Sequence, residues 1–228
     1  MSFFKLFFLK PEVANYCGLF FVSGTKKKLM KKISLFFCTL FLATTIFAQN
    51  SSIGLKAGLN ISNLDNSGTD MGSKVGFNGG LLAHIHMAPN LAIQPEVVYS
   101  GQGAKYTVAG VEHSLNLDYI NIPLQLQYMF ASGLRLQTGP QVGFLANVKD
   151  KISNGNETNF FTSEDFKTVD FSWSAGLSYL STSGLGVDGR YNFGLSNINN
   201  AGSNVIKNNV FQFGLFYMLN NTSAHRHR

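Results

Sequence analysis

Apolar and polar residues alternate along most of the chain from Ser51 onward. In the first such stretch, Ile53, Leu55 and Leu59 alternate with Lys56 and Asn60. A period of two places successive side chains on opposite faces of a β-strand. Eight stretches share this pattern, at residues 53–61, 75–87, 91–99, 120–130, 134–144, 169–179, 185–193 and 211–219. The pattern therefore predicts an all-β chain of eight strands.

The length of these stretches indicates whether the strands lie in water or in a membrane. They run for about nine to thirteen residues, whereas strands of soluble proteins most often have about five or six. A tilted strand needs about 9–11 residues to cross a bilayer. The lengths therefore favour strands that cross a membrane.

The connections between the strands alternate between long and short. The long, polar ones are residues 63–73, 102–116, 147–168 and 195–209, and the short ones are residues 88–90, 131–133 and 181–184. Strands that run up and down through an outer membrane place all long loops outside and all tight turns in the periplasm. We therefore predict an eight-stranded antiparallel up-and-down transmembrane β-barrel with both termini on the turn side. A Greek-key sandwich has no reason to show this alternation.

The two strand faces differ in polarity as a membrane barrel requires. The apolar and aromatic face is expected to meet lipid, and the polar face to line the lumen. A soluble lipocalin-like barrel would have the opposite arrangement. The interior of an eight-stranded barrel is only wide enough for side chains, and buried charges need partners. We expect a plugged lumen, with a narrow pore as the alternative. The charged residues on the polar face are Lys56, Glu96, Arg135, Asp170, Asp188 and Arg190.

The N-terminal part of the chain has the layout of a secretory signal. Lysines 26–28, 31 and 32 precede an apolar stretch at residues 33–47, which ends at Ala48. This stretch is shorter than the roughly 20 residues of a membrane helix. We predict a signal peptide at residues 30–48, cleaved after Ala48. Residues 1–29 are then an extension upstream of a start at Met30, or an unusually long basic region. Residues 49–219 form the barrel domain, and residues 220–228 form a flexible basic tail.

Most of the excess positive charge and both cysteines lie outside the predicted barrel domain. The leader holds seven Lys and one Glu, and the tail holds Arg226 and Arg228. Nine basic and eleven acidic residues remain, so the net charge of +6 gives no support for a nucleic-acid partner. Cys17 and Cys38 both lie in the leader. Disulfides and cysteine-based metal sites are thereby excluded from the mature chain.

Several short motifs resemble the PorT-like outer-membrane β-barrel proteins of Bacteroidetes-type bacteria. The resemblance implies an eight-stranded barrel. Most members of that family have no assigned role, and the type that gives the family its name is linked to protein secretion. Fold alone does not transfer that role. This chain departs from the usual pattern because residues 220–228 follow the last strand. The motifs are Ile53-Gly54-Leu55-Lys56-Ala57-Gly58-Leu59-Asn60-Ile61-Ser62, Gln94-Pro95-Glu96, Tyr119-Ile120-Asn121-Ile122-Pro123-Leu124 and Thr138-Gly139-Pro140-Gln141-Val142-Gly143.

Three groups of residues are candidates for sites of chemistry. His84 and His86 share a strand face at a spacing that two metal ligands use, but a third ligand is not evident, which favours lumen filling. His113 and Ser114 are adjacent, so on a strand they would point to opposite faces, and both fall in a predicted loop. Residues 76–80 are glycine-rich but lie in mid-strand, with no helix to bind phosphate. We therefore assign no catalytic, cofactor-binding or metal-binding residue.

The long loops are the expected place for a partner, because loops on a rigid scaffold commonly carry function. The longest loop contains Phe160 and Phe161 among polar residues. This aromatic pair could contact a partner or pack within the loop. We expect a monomeric, non-enzymatic barrel in the outer membrane, in contact with its lipid. We expect its role to be structural, to be binding, or to be accessory to secretion. The partner would be an extracellular protein or a protein of the secretion machinery, bound through the loops. A lipid-modifying barrel enzyme and a narrow pore remain the alternatives.

Overall fold

The computed structural model describes residues 51–66, 71–108, 110–152, 157–158, 161–200 and 204–219. The predicted upstream extension, the signal peptide with its cleavage site and the C-terminal tail lie outside these residues. Among the described residues, none belongs to a helix that is long and apolar enough to cross a membrane.

Nine strands are present in the described residues, and eight of them close into a ring. Each of the eight pairs antiparallel with its neighbours in the chain, and β1 pairs with β9 to close the ring. The short strand β6 pairs only with the far end of β5. The strands are β1 (Ser51–Asn66), β2 (Gly72–Ala88), β3 (Leu91–Val108), β4 (Val111–Met129), β5 (Leu134–Ile152), β6 (Glu157–Thr158), β7 (Val169–Leu180), β8 (Leu185–Gly194) and β9 (Ile206–Met218).

This ring confirms the predicted eight-stranded up-and-down barrel. The three tight turns are also at the predicted positions. They connect β2 to β3, β4 to β5, and β7 to β8. Gly133 and Gly184 each end a four-residue turn, with φ of 89° and 88°. Only glycine adopts this left-handed conformation without strain. We refer to this side of the ring, where β1 starts and β9 ends, as the turn end, and to the opposite side as the hairpin end.

The predicted loop at residues 102–116 is wrong, because this segment is a continuous hairpin. β3 runs to Val108, β4 starts at Val111, and the two residues pair with each other. The alternation continues here with its polarity reversed, so that Leu115 and Leu117 point inward while Lys105 is exposed. β5 likewise extends beyond the predicted end of its strand to Ile152. Strands that leave a membrane for water must turn their apolar side chains inward, which explains the reversal.

A belt of exposed apolar side chains surrounds the ring on the turn-end side of this reversal. All eight strands contribute to it, with Leu55, Phe77, Leu177 and Leu215 each about half exposed. Soluble monomers do not expose an apolar surface of this extent. Aromatic side chains sit in the belt, as where Tyr128 and Phe130 or Tyr191 and Phe193 meet edge to face. We conclude that the belt is the membrane-facing surface.

Glycines on the inner face let the narrow ring close. Gly58 and Gly214 face each other across β1 and β9, and a Cβ on Gly58 would lie 2.3 Å from the Phe213 carbonyl oxygen. The glycines at residues 76 and 80 approach β3 in the same way, at 2.2 and 2.1 Å from backbone oxygens. The glycine-rich stretch at residues 76–80 therefore serves close strand packing within β2.

Candidate functional site: the filled lumen and the hairpin end

Four charged side chains from three strands meet inside the ring. We call Lys56, Glu96, Asp188 and Arg190 the charge cluster. The Arg190 guanidinium donates to both oxygens of Glu96, at 2.8 and 3.1 Å, and also to Asp188 at 2.7 Å. The Lys56 ammonium donates to Asp188 at 2.8 Å and lies 3.8 Å from Glu96. The four residues, predicted only to share the lumen, thus form one connected network.

The charge cluster is balanced in charge and excluded from solvent. Its side chains are at most 2% exposed, and it contains two cations and two anions. Arg190 faces Gly176 across β7 and β8, where an added Cβ would lie 2.6 Å from the Cβ of Arg190. That glycine therefore provides the space in which the guanidinium turns toward Glu96. A paired, hydrogen-bonded network of this kind is how buried charges are tolerated.

A layer of amide side chains lies above the charge cluster, toward the hairpin end. Asn60 is at its centre: it donates to Ser100 at 2.9 Å and accepts from Asn78 and Gln212 at 2.7 and 3.1 Å. Asp170, which the sequence placed in the lumen, is separate from the charge cluster. It accepts from Ser196 at 2.6 Å and from Asn208 at 3.2 Å.

Apolar side chains pack at both ends of these polar layers. Toward the turn end, the inner face carries one small buried cluster, and at the hairpin end a larger one lies beneath the extended strands. We call the larger group the apolar cap. The small cluster is Leu82, Leu180, Phe216 and Met218. The apolar cap is Leu64, Ala104, Leu115, Leu117, Tyr119, Phe166, Ile198 and Ile206.

The apolar cap joins the extended sheet to the chain between β5 and β9. Phe161 and Phe166 come from the segment before β7, and their rings lie 5.9 Å apart. The Phe161 ring also meets Tyr106 of β3 edge to face. Phe161 therefore packs within the protein, which was one of the two alternatives for the aromatic pair. Phe160 lies outside the described residues.

His113 of β4 belongs to a polar group that the sequence did not identify. Its ring stacks on Tyr106 at 5.0 Å, and its Nδ1 lies 3.6 Å from Asp150. Tyr106 donates its hydroxyl to the same carboxylate. Burial and this hydrogen bond raise the pKa of Tyr106 above its ordinary value, which favours the protonated phenol that donates to Asp150. Tyr106 and Asp150 are 44 residues apart, and they come together because β3, β4 and β5 stay paired beyond the belt.

The histidines that the sequence analysis considered lie on the inner face of their strands. His113 points inward on β4 while Ser114 points to the opposite face, as expected for adjacent strand residues. The His84 and His86 rings lie 4.7 Å apart on the inner face of β2. The part of the chain that the structure describes holds no group of three or more side chains suited to a metal ion.

Phe166 offers a test of the apolar cap. It is only 4% exposed, so Phe166→Ala should remove a buried ring and loosen the cap by about 3–5 kcal/mol, leaving the membrane belt intact. Amide hydrogen exchange should then accelerate at Leu115 and Leu117 but not at residues 120–130. The control is Phe171→Ala, since Phe171 is 52% exposed in the belt. Equal acceleration along the whole of β4 would contradict a separately packed cap.

Comparison with solved structures finds three proteins of low sequence identity to this chain. Three solved structures resemble the chain: Ail of Yersinia pestis, Neisserial surface protein A and OprG of Pseudomonas aeruginosa. Their sequence identities are 12%, 16% and 10%, with TM-scores of 0.47, 0.46 and 0.45. The alignments cover 74–75% of this chain and 96–99% of the other chains. No curated protein sequence matches at a significant level.

The family comparison covers most of the barrel. Residues 47–200 match the family described as outer membrane protein beta-barrel domain. This range takes in the strands from β1 to β8, including all members of the charge cluster. Because the match spans well over half of the 228 residues, the chain belongs to the outer membrane protein beta-barrel domain family and is a protein of the outer membrane.

Proposed function

We propose that this protein is a closed, monomeric and non-catalytic barrel that binds a protein partner through its hairpin end on the cell surface. The observation that carries the proposal is the construction of that end. β3, β4 and β5 continue beyond the belt as one paired sheet, and the apolar cap packs against its inner face. A sheet supported in this way presents its outer face rigidly, as a binding surface requires.

Export by the signal peptide at residues 30–48 would deliver the chain to the periplasm, from which the barrel inserts into the outer membrane. After passage through the inner membrane, the turn end stays in the periplasm and the hairpin end faces outward, as in other barrels of this type. The closed ring leaves no unpaired strand edge within the belt, which supports a monomer. A PorT-like role as an accessory of secretion is the specific form that the motif resemblance suggests.

The filled lumen is the reason for proposing a binding role over a pore. An ion crossing the barrel would have to displace the charge cluster, in which two cations and two anions are buried and ion-paired with one another. The lipid-modifying enzyme is disfavoured because His113 and Ser114, the pair considered for it, point to opposite faces. The barrel is accordingly proposed to act by contact.

Site-specific photo-crosslinking in cells tests the binding role. A photoreactive amino acid at Val111, at the tip of the β3–β4 hairpin, should give a protein adduct of defined mass. The matched control position is Leu185 at the turn end, which is similarly exposed and should give no such adduct. Absence of an adduct at Val111, or equal adducts at both positions, would contradict binding through the hairpin end.

Two further measurements separate the alternatives. In planar bilayers the purified protein should show no stable unitary conductance, whereas a pore would show one. Lipid extracts of a deletion strain should match those of the parent strain. A missing lipid species, restored by the intact gene, would establish the enzyme instead.

A further inference from the structure

One buried cation in the lumen has no counter-charge. Arg135, the second residue of β5, is 4% exposed and points inward near the turn end. Among the described residues, its guanidinium has no hydrogen-bond or ion-pair partner, and its Nη1 is shielded from solvent. An isolated buried charge is strongly unfavourable, so an anion beside the guanidinium would stabilise the folded barrel.

The charge cluster does not supply that anion. Glu96 and Asp188 both lie within ion-pair distance of Lys56 and Arg190, and the four charges cancel. Within the described part of the lumen, neither carboxylate is within ion-pair distance of Arg135. Arg135 is therefore a third cation beside a network that is already neutral.

Two further hydrogen-bond donors share the inner face near Arg135. Ser178 on β7 is directly opposite Arg135 in the strand register, and its hydroxyl is buried without a hydrogen-bond partner. His84 on β2 is fully buried, neither of its ring nitrogens has a hydrogen-bond partner within the described residues, and the Arg135 guanidinium acts on it electrostatically. A guanidinium, a hydroxyl and an imidazole N–H are all donors suited to an anion.

We propose that Arg135, Ser178 and His84 form a binding site for a small inorganic anion, with chloride as its ligand. The interior of an eight-stranded barrel has room for little more than side chains, which excludes a larger organic acid. The charge cluster closes the lumen above the site, so the bound ion is confined to the part of the lumen toward the turn end. Once bound, it neutralises Arg135 and brings the buried charges of this half of the lumen into balance.

The stability of the purified protein in lipid vesicles tests this site. Urea unfolding is followed in chloride and in gluconate at equal ionic strength, because gluconate is too large for the lumen. The wild-type midpoint should rise with chloride concentration and then saturate, since a ligand that binds only the folded state stabilises it. In Arg135→Gln, the midpoint should no longer depend on chloride.

Lys105→Gln is the matched control, because it removes the same charge from an exposed position. This variant should keep the full chloride dependence. Ser178→Ala, which leaves Arg135 in place, should raise the half-saturating chloride concentration several-fold. Equal wild-type midpoints in chloride and gluconate would overturn the site, as would a chloride dependence that survives in Arg135→Gln.

Crystals of the wild-type protein soaked in bromide provide a second measurement that does not depend on how the variants fold. An anomalous peak should lie within hydrogen-bond distance of the Arg135 guanidinium. A fully ordered Arg135 with no bromide beside it would equally overturn the proposal.

Discussion

Replacing Arg190 by alanine is expected to destabilise the barrel by about 3–5 kcal/mol, because the remaining charges stay buried without their partner. Arg190 makes four hydrogen bonds to Glu96 and Asp188. Without it, Lys56 alone faces two carboxylates. The measurement is reversible urea unfolding in phospholipid vesicles, followed by the fluorescence of Trp173, the single tryptophan of the chain.

The control for Arg190→Ala is an ion pair of the same length on the surface. Lys105 and Glu112 lie 2.8 Å apart, but their side chains are 49% and 55% exposed. Lys105→Ala should therefore cost only about 0–1 kcal/mol, because water solvates the charge that remains. A double variant, Arg190→Met with Glu96→Gln, should recover part of the loss by removing one charge of each sign. Equal effects of the two alanine variants would show that the charge cluster is not buried as described.

Much of the barrel follows from local pattern alone. Strand number, the three tight turns and the inward side of each strand depend on a period of two, which neighbouring residues reveal. The hairpin between β3 and β4 escaped prediction because Leu115 and Leu117 point inward, whereas the belt strands have their apolar residues outside. The apolar side of a strand changes from outside to inside where the strand leaves the membrane, so a single polarity predicts only the part of the strand within the belt.

The partners inside the lumen are harder to obtain from sequence. Lys56, Glu96 and Arg135 were all assigned to the polar face, yet only the first two join the charge cluster. Which inward side chains share a level depends on the stagger between strands around the closed ring. Glu96 and Arg190 are 94 residues apart, and no local feature encodes their meeting. The sequence therefore predicts which side chains line the lumen. Which of them form ion pairs with each other can be seen only from the register of the strands in three dimensions.

Replacing Leu215 by arginine should destabilise the barrel by about 2–4 kcal/mol, because a charge on the lipid face is most unfavourable near the bilayer midplane. Leu215 is 52% exposed and is the middle one of the exposed belt side chains at residues 211–219, beside Ala57 and Val187 in the register. The effect is measured by the same urea titration in vesicles. Leu215→Ala is the size control and should have a clearly smaller effect, since it adds no charge.

The depth control is Val111→Arg, at the tip of the β3–β4 hairpin. Val111 is 44% exposed, close to the value for Leu215, but it lies beyond the belt, where the polarity of the strands has reversed. Arginine there should change the free energy of unfolding by less than about 1 kcal/mol, because water solvates it. If both arginines were tolerated equally, the exposed belt would be a water-facing surface, and the membrane assignment of its apolar residues would fail. A large loss at Leu215 alone would locate the bilayer on the turn-end side of the reversal.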